Sequence, residues 1–362
     1  MACAFAAVAV TAGCTAAHPG EVEKPSSTTT VAPLQGPSPT AQESVVPPWP
    51  APRRGHGMAS DGAGRLVIFG GRSLSGSART YLSDTWLYDT ATGTWTEGDA
   101  APKPTPRSEH GMSWTGAEGE VLLIGGYTGS RFTYPDAWIF ADQEWTRSDP
   151  INGPTPRAGS AVSWDEDSQV VVLFGGAEQP TVAELPTNET WILDPKTMDW
   201  ANRSPVHSPL PRAEGHPTLF ELALAYDSDS DRSILLIGGD ETWAYDADTN
   251  QWEQRTPPGL AADFMVAAAY HPGLDRIITY GGGPTSLTAE TWLYDYDTDT
   301  WTRVNTGTSP GPIGDHAMAY DSTTDLVYLF GGGIDLLPLD GNGDVSDELW
   351  AFDGSNWRRV GP

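Results

Sequence analysis

Arginines recur at matching places along this chain and are its most obvious candidates for shared chemistry. Arg53, Arg107 and Arg157 each stand three residues before the start of an apolar strand, and Arg212 joins them if 213–221 is an insertion. A guanidinium fork matches a carboxylate or phosphate in two places at once, so a cluster of them in an acidic chain is a candidate anion site. The same positions also suit a structural arginine bonded to loop carbonyls or to a nearby acid. His56, His110 and His316 begin three of these strands, with His216 displaced. Three imidazoles around one axis are a metal-ligand set, whereas one histidine per repeat equally suits a repeated hydrogen bond. Tyr127, Arg131 and Tyr134 place aromatic rings beside a cation on a loop, which fits ligand binding. Asp340, Asn342 and Asp344 alternate with glycines, and Glu348 follows at position nine, the oxygen spacing of a short Ca²⁺ loop. Val345 occupies the sixth position, where such loops have Gly, and a polar Gly-rich loop is the plainer reading. The chain has no His-Glu-x-x-His, no Gly-x-Ser-x-Gly and no phosphate-cradling glycine loop.

The elements that must position these residues repeat six times. Gly-Gly pairs at 70–71, 125–126, 175–176, 238–239, 281–282 and 331–332 lie 43 to 63 residues apart, and each precedes a pair of tryptophans. Those pairs are Trp86/Trp95, Trp138/Trp145, Trp191/Trp200, Trp243/Trp252, Trp292/Trp301 and Trp350/Trp357. This period is too long for a helical hairpin and suits a four-stranded blade. The last unit shows the pattern: strand a at 316–320, a polar turn, strand b at 326–330, Gly-Gly, a variable loop, strand c at 348–352, and strand d around Trp357. The b strands are almost continuously apolar, as in Val121–Ile124 and Val170–Phe174, which predicts burial on both faces.

A repeat separates structure from function, because whatever recurs in every unit belongs to the fold. The residue two before each strand-c tryptophan is always acidic: Asp84, Asp136, Glu189, Glu241, Glu290 and Glu348. These acids are expected to cap turns or pair between blades. Asp227-Ser-Asp229-Ser-Asp231 sits where every unit has a polar turn, so it is set aside as well. The b–c loops vary most and carry Arg72, Arg79, Tyr81, Phe132 and Glu184 besides Tyr127, Arg131 and Tyr134. The fourth unit has almost no such loop, which predicts a notch there.

Composition narrows the partners. With 48 acidic against 20 basic side chains, the net charge is −28, which opposes binding to nucleic acid or docking on anionic lipid. Both cysteines lie in the first 14 residues, so the folded part can hold no disulfide. Residues 1–14 are small and apolar and end Thr-Ala-Gly-Cys14, like a lipoprotein signal peptide whose cysteine receives the lipid. Residues 15–49 are rich in Pro, Ser and Thr and are expected to be a disordered tether. The membrane is then reached through a lipid anchor only, and the product is an exported, cell-surface or extracellular monomer.

Gly-Gly after strand b, tryptophans on strands c and d, and Pro-x-Pro-Arg before strand a (104–107 and 154–157) resemble kelch repeats. The resemblance covers residues 50–362 and implies an all-β fold, a six-bladed propeller with four antiparallel strands per blade. It also implies an interaction scaffold more readily than an enzyme. The expected function is therefore a bacterial cell-envelope binding protein whose b–c and d–a loops meet a protein or glycan, with no cofactor unless Ca²⁺. The alternative is a sugar mutarotase or epimerase at the channel mouth, with Arg107, Arg157, His110 and His316 as acid/base and carboxylate-binding groups. Radical copper oxidases of the galactose oxidase kind are excluded, since they need a Cys–Tyr crosslink and the only cysteines are at 3 and 14.

Overall fold

A computed structural model describes residues 48–362 apart from 76–77, 99–100, 130–132, 149–151, 179–186, 211–221, 260–264, 284–285 and 335–343. The chain divides into Met1–Val46 and Pro47–Pro362, and the second unit is a six-bladed β-propeller. Each blade is a four-stranded antiparallel sheet in chain order, with a first strand bordering strands a of both neighbouring blades. Blade one comprises Gly57–Ser60, Arg65–Phe69, Thr85–Asp89 and Thr94–Gly98. Blade six comprises Ala317–Asp321, Leu326–Phe330, Leu349–Phe352 and Trp357–Arg359. The expected b strands are all present, and they are buried almost without interruption. In blade four, strand b ends at Ile237 and strand c begins at Glu241, so the short loop read from the sequence is a tight hairpin. Blade one adds a hairpin of its own between strands b and c, Arg72–Ser75 with Ala78–Tyr81.

Ring closure is sequential, since blade six is completed by its own four strands. Trp49 does not supply a strand; its indole donates to Asp347 at 3.2 Å. The closing interface repeats the contact used elsewhere. Among the described residues, the second glycine of four pairs donates to the carbonyl that ends the next blade's entry segment, including Gly71 to Arg107 at 2.8 Å, Gly126 to Arg157 at 2.9 Å and Gly282 to Ile313 at 2.8 Å. Gly332 does the same to Arg53 at 2.8 Å, which joins blade six to blade one. The first glycine must be bare for this to happen. A Cβ on Gly70 would stand 2.7 Å from the Arg107 carbonyl, and one on Gly331 would stand 2.7 Å from that of Arg53.

Between the blades lie aromatic side chains, the bulk that fills wedge-shaped gaps. Each strand-d tryptophan packs toward the preceding blade, as Trp145 does on Phe69 and Trp252 on Phe174. Its N–H is satisfied only where that blade offers a hydroxyl. Trp145 donates to Thr85 at 2.8 Å, Trp252 to Thr190 at 2.9 Å, Trp301 to Thr242 at 3.3 Å and Trp357 to Thr291 at 2.9 Å. In the remaining two interfaces the threonine position holds Ala137 or Leu349, and the buried N–H groups of Trp200 and Trp95 have no partner.

Candidate functional site

The recurring arginines lie within the blades. Arg53 is fully buried and sends its fork to both oxygens of Asp84, at 2.9 and 2.6 Å, with a further bond to the Gly70 carbonyl at 3.0 Å. Arg107 makes the same set with Asp136, at 2.7 and 2.9 Å, and with the Gly125 carbonyl. Arg157 bonds Glu189 at 2.7 Å and the Gly175 carbonyl at 3.0 Å. The acids also accept from the indole two residues on, from Trp86 to Asp84 at 2.7 Å through to Trp350 to Glu348 at 2.9 Å. Burial alone would raise the Asp84 and Asp136 carboxyls, but the arginine and indole bonds outweigh it and hold both below the usual range. Blades five and six lack this arginine, and there Glu290 and Glu348 pair with Arg303 and Arg359 from strand d. Arg–acid–Trp is thus a strut inside blades one, two, three, five and six, while Glu241 of blade four accepts from Trp243, and Arg53, Arg107 and Arg157 have their forks occupied. Arg212 and Arg131 lie outside the described residues, as do Asp340, Asn342 and Cys14; Asp344 is exposed.

Tyr134 lays its ring over the Arg107 guanidinium, 4.1 Å from the ring centre, and its hydroxyl donates to the Pro106 carbonyl at 3.3 Å. Tyr127 is buried and meets Tyr81 edge to face. Burial and the nearby Glu109 carboxylate raise its hydroxyl well above the usual value.

Beside Tyr127 is a charged cluster whose main members the sequence reading missed. Asp315 accepts from Arg54 at 2.7 Å and from Arg72 at 2.8 Å, and Arg72 also approaches Glu109 at 3.1 Å. The backbones of Arg54 and Arg72 are hydrogen-bonded to each other, which brings both guanidinium groups to one carboxylate. Three blades contribute: Asp315 from six, Arg54 and Arg72 from one, Glu109 from two. Burial and the Asp315 charge push Glu109 up to about 7. The two arginines, against burial, hold Asp315 below its ordinary range. A cavity of about 140 Å³ at the neck of the channel is bordered by both carboxylates and by His56, His110 and His316.

Glu109 and Asp315 have positive φ, 55° and 60°, at the position where blades one and three have Gly55 and Gly159. Met265 is the blade-five counterpart, at 67°. A belt of backbone bonds runs through these residues: Asp315 to Met265 at 3.1 Å, Gly55 to Asp315 at 3.0 Å, Glu109 to Gly55 at 2.9 Å and Gly159 to Glu109 at 2.9 Å. A larger residue where its neighbours have glycine was the signal available in the sequence, since non-glycine residues hold this conformation only at a cost.

The histidines correct one expectation. They make no repeated hydrogen bond; their ring nitrogens are buried without partners. Each ring instead meets the aromatic residue ending strand b of the preceding blade: His56 on Phe330, His110 on Phe69, His316 on Tyr280. Desolvation, with neighbouring cations, lowers His56 to about 3, and desolvation lowers His316 to about 4 and His110 well below its usual value. Neutral imidazoles here act as flat packing groups. Among the described residues, the acidic or histidine side chains close enough to share an ion are Asp167, Asp231 and Asp248, on outer turns away from the channel.

Blades of this build, with the paired glycines docked on the next blade and an acid bonded to each strand-c indole, define a kelch-type propeller. Residues 39–239 match the family described as the KLHDC2/KLHL20/DRC7 Kelch-repeats domain, and the chain belongs to the kelch-repeat family. An F-box/kelch-repeat protein of Arabidopsis thaliana is 32% identical over 105 residues, 28% of this chain and 21% of that protein. The chain thus matches about a fifth of that relative's length. Kelch propellers generally mediate interactions with proteins.

Proposed function

We propose that this protein is an exported binding module, held at the cell surface by a lipid on Cys14 and a tether over residues 15–49. Its b–c and d–a loop face would receive a protein or glycan partner. The observation that carries this reading is the contrast between the two classes of residue. The repeated arginines, acids and tryptophans are occupied inside the blades, while the b–c loop of blade one forms, among the described residues, a two-stranded hairpin, Arg72–Ser75 with Ala78–Tyr81, whose Tyr81 meets Tyr127.

The mutarotase alternative has one observation in its favour, a pair of carboxylates at the neck driven apart in acidity, which is the arrangement of an acid and a base. Its volume argues the other way. The neck cavity of about 140 Å³ is well below the roughly 300 Å³ at which small-molecule sites begin.

The test is retention of the full chain on isolated cell envelopes, using a Cys14→Ser background that cannot be lipidated. Arg79→Glu on the loop face is expected to abolish retention, and Asp297→Lys on the opposite face to leave it unchanged. Retention lost only with Asp297→Lys, or absent from the parent protein, would refute the reading.

A further inference from the structure

The charged neck lies where a sequentially closed ring most needs a fastening, between blades six, one and two. We propose that Glu109, Arg72, Asp315 and Arg54 form a proton-controlled latch, closed when Glu109 is neutral and loosened when it ionises. Arg72 is the first residue of the blade-one hairpin, so the latch ties that hairpin to blade two through Glu109 and to blade six through Asp315. The geometry is built for a buried carboxyl. Glu109 Oε1 stands 2.5 Å from where a Cβ on Gly55 would be, so glycine there is what admits the side chain. Glu109 itself holds a left-handed backbone, and its N–H and C=O are fixed in the belt between Gly55 and Gly159.

The groups that face Glu109 set the sign. Arg72 and Arg54 favour its charge, but both guanidinium groups are already taken up by Asp315, at 2.8 and 2.7 Å. Glu109 Oε1 is buried without a hydrogen bond, so burial and the Asp315 charge oppose ionisation and prevail. Tyr127 and Tyr81 face Arg72, and Tyr127 is neutral near pH 7, as are the buried His56 and His110. Ionised Glu109 therefore makes a second buried carboxylate beside Asp315, and water outside the cluster solvates it better. Proton binding is tighter in the closed form, so closure is favoured below about pH 7 and opening increases as pH rises. The adjoining cavity of about 140 Å³ gives the side chain room to leave.

Hydrogen exchange on the full chain tests this through the amides of Arg72 and Glu109, which bond Arg54 and Gly55 across the cluster. Their opening constants, corrected for intrinsic exchange, are compared with those of Glu109→Gln at each pH. A carboxyl that returns to its ordinary 4.5 on opening, from about 7 when closed, makes the wild-type-to-variant ratio rise about tenfold between pH 6 and pH 8. A flat or falling ratio overturns the proposal. If Glu109→Gln does not fold, the ¹³C carboxyl resonance of Glu109 in the wild type decides. A midpoint near 7 supports the latch, and one near 4.5 overturns it.

Discussion

The indole–threonine contacts between blades allow a stability prediction that contains its own controls. Thr190 and Trp252 are both buried, and the Trp252 N–H has the Thr190 hydroxyl at 2.9 Å as its partner. Thr190→Val keeps the shape of the side chain and its β-branched fit to strand c, and removes only the acceptor. A buried N–H left without a partner costs about 1–3 kcal/mol, so the unfolding free energy should fall by that amount. Two interfaces already lack the hydroxyl. Trp200 faces Ala137 and its N–H is unpaired, so Ala137→Ser, which adds one oxygen, should recover about 0.5–1.5 kcal/mol, the net value of an ordinary hydrogen bond. Guanidinium unfolding followed by tryptophan fluorescence and by far-ultraviolet circular dichroism gives both numbers, provided the two probes coincide. A Thr190→Val protein within about 0.5 kcal/mol of the parent would show that these bonds do not hold the blades together.

Other outcomes follow from the same structure. Arg107→Gln strips a buried Asp136 of its counter-charge and should cost about 3–5 kcal/mol by the same unfolding assay. Arg157→Gln should cost less, because the Glu189 carboxyl is 38% exposed and water can replace the lost partner. As pH falls below 6.5 stability should decline, since His56 and His316 are neutral when folded, lowered to about 3 and about 4, and regain their usual proton affinity when unfolded, which together outweighs the opposite effect of Glu109. His316→Asn should flatten that part of the stability profile, measured by thermal melts at stepped pH. Calcium at Asp340, Asn342 and Asp344 would raise the melting midpoint of the wild type and not that of Asp344→Ala, as binding to the folded state requires.

Much of the propeller was legible because its interfaces are made of residues that recur at fixed places. Gly70 and Gly331 are glycines for one reason, the carbonyl of the next blade, and the same reason holds for Gly125 and Gly281. The acid before each strand-c tryptophan was recognisable as structural from its recurrence, although its partner, the indole, was not foreseen. The arginines were readable as either a strut or an anion site, and only the placement of Asp84, Asp136 and Glu189 in space decides between these uses. The neck was harder to see. Glu109 and Asp315 come together only because blade six closes on blade one, and no local pattern joins residues so far apart in the chain. The histidines were misread for a different reason: a side chain able to donate and accept was assumed to do so, and here ring faces and edges decide its place.

The division between a structural repeat and a binding face is tested most directly by photocrosslinking in the native host. A photoreactive residue replaces Arg79 on the loop face in one full-length protein and Asp297 on the opposite face in another. A discrete covalent adduct is expected from position 79 and none from position 297. Adducts from 297 alone, or equal and diffuse labelling from both, would contradict it.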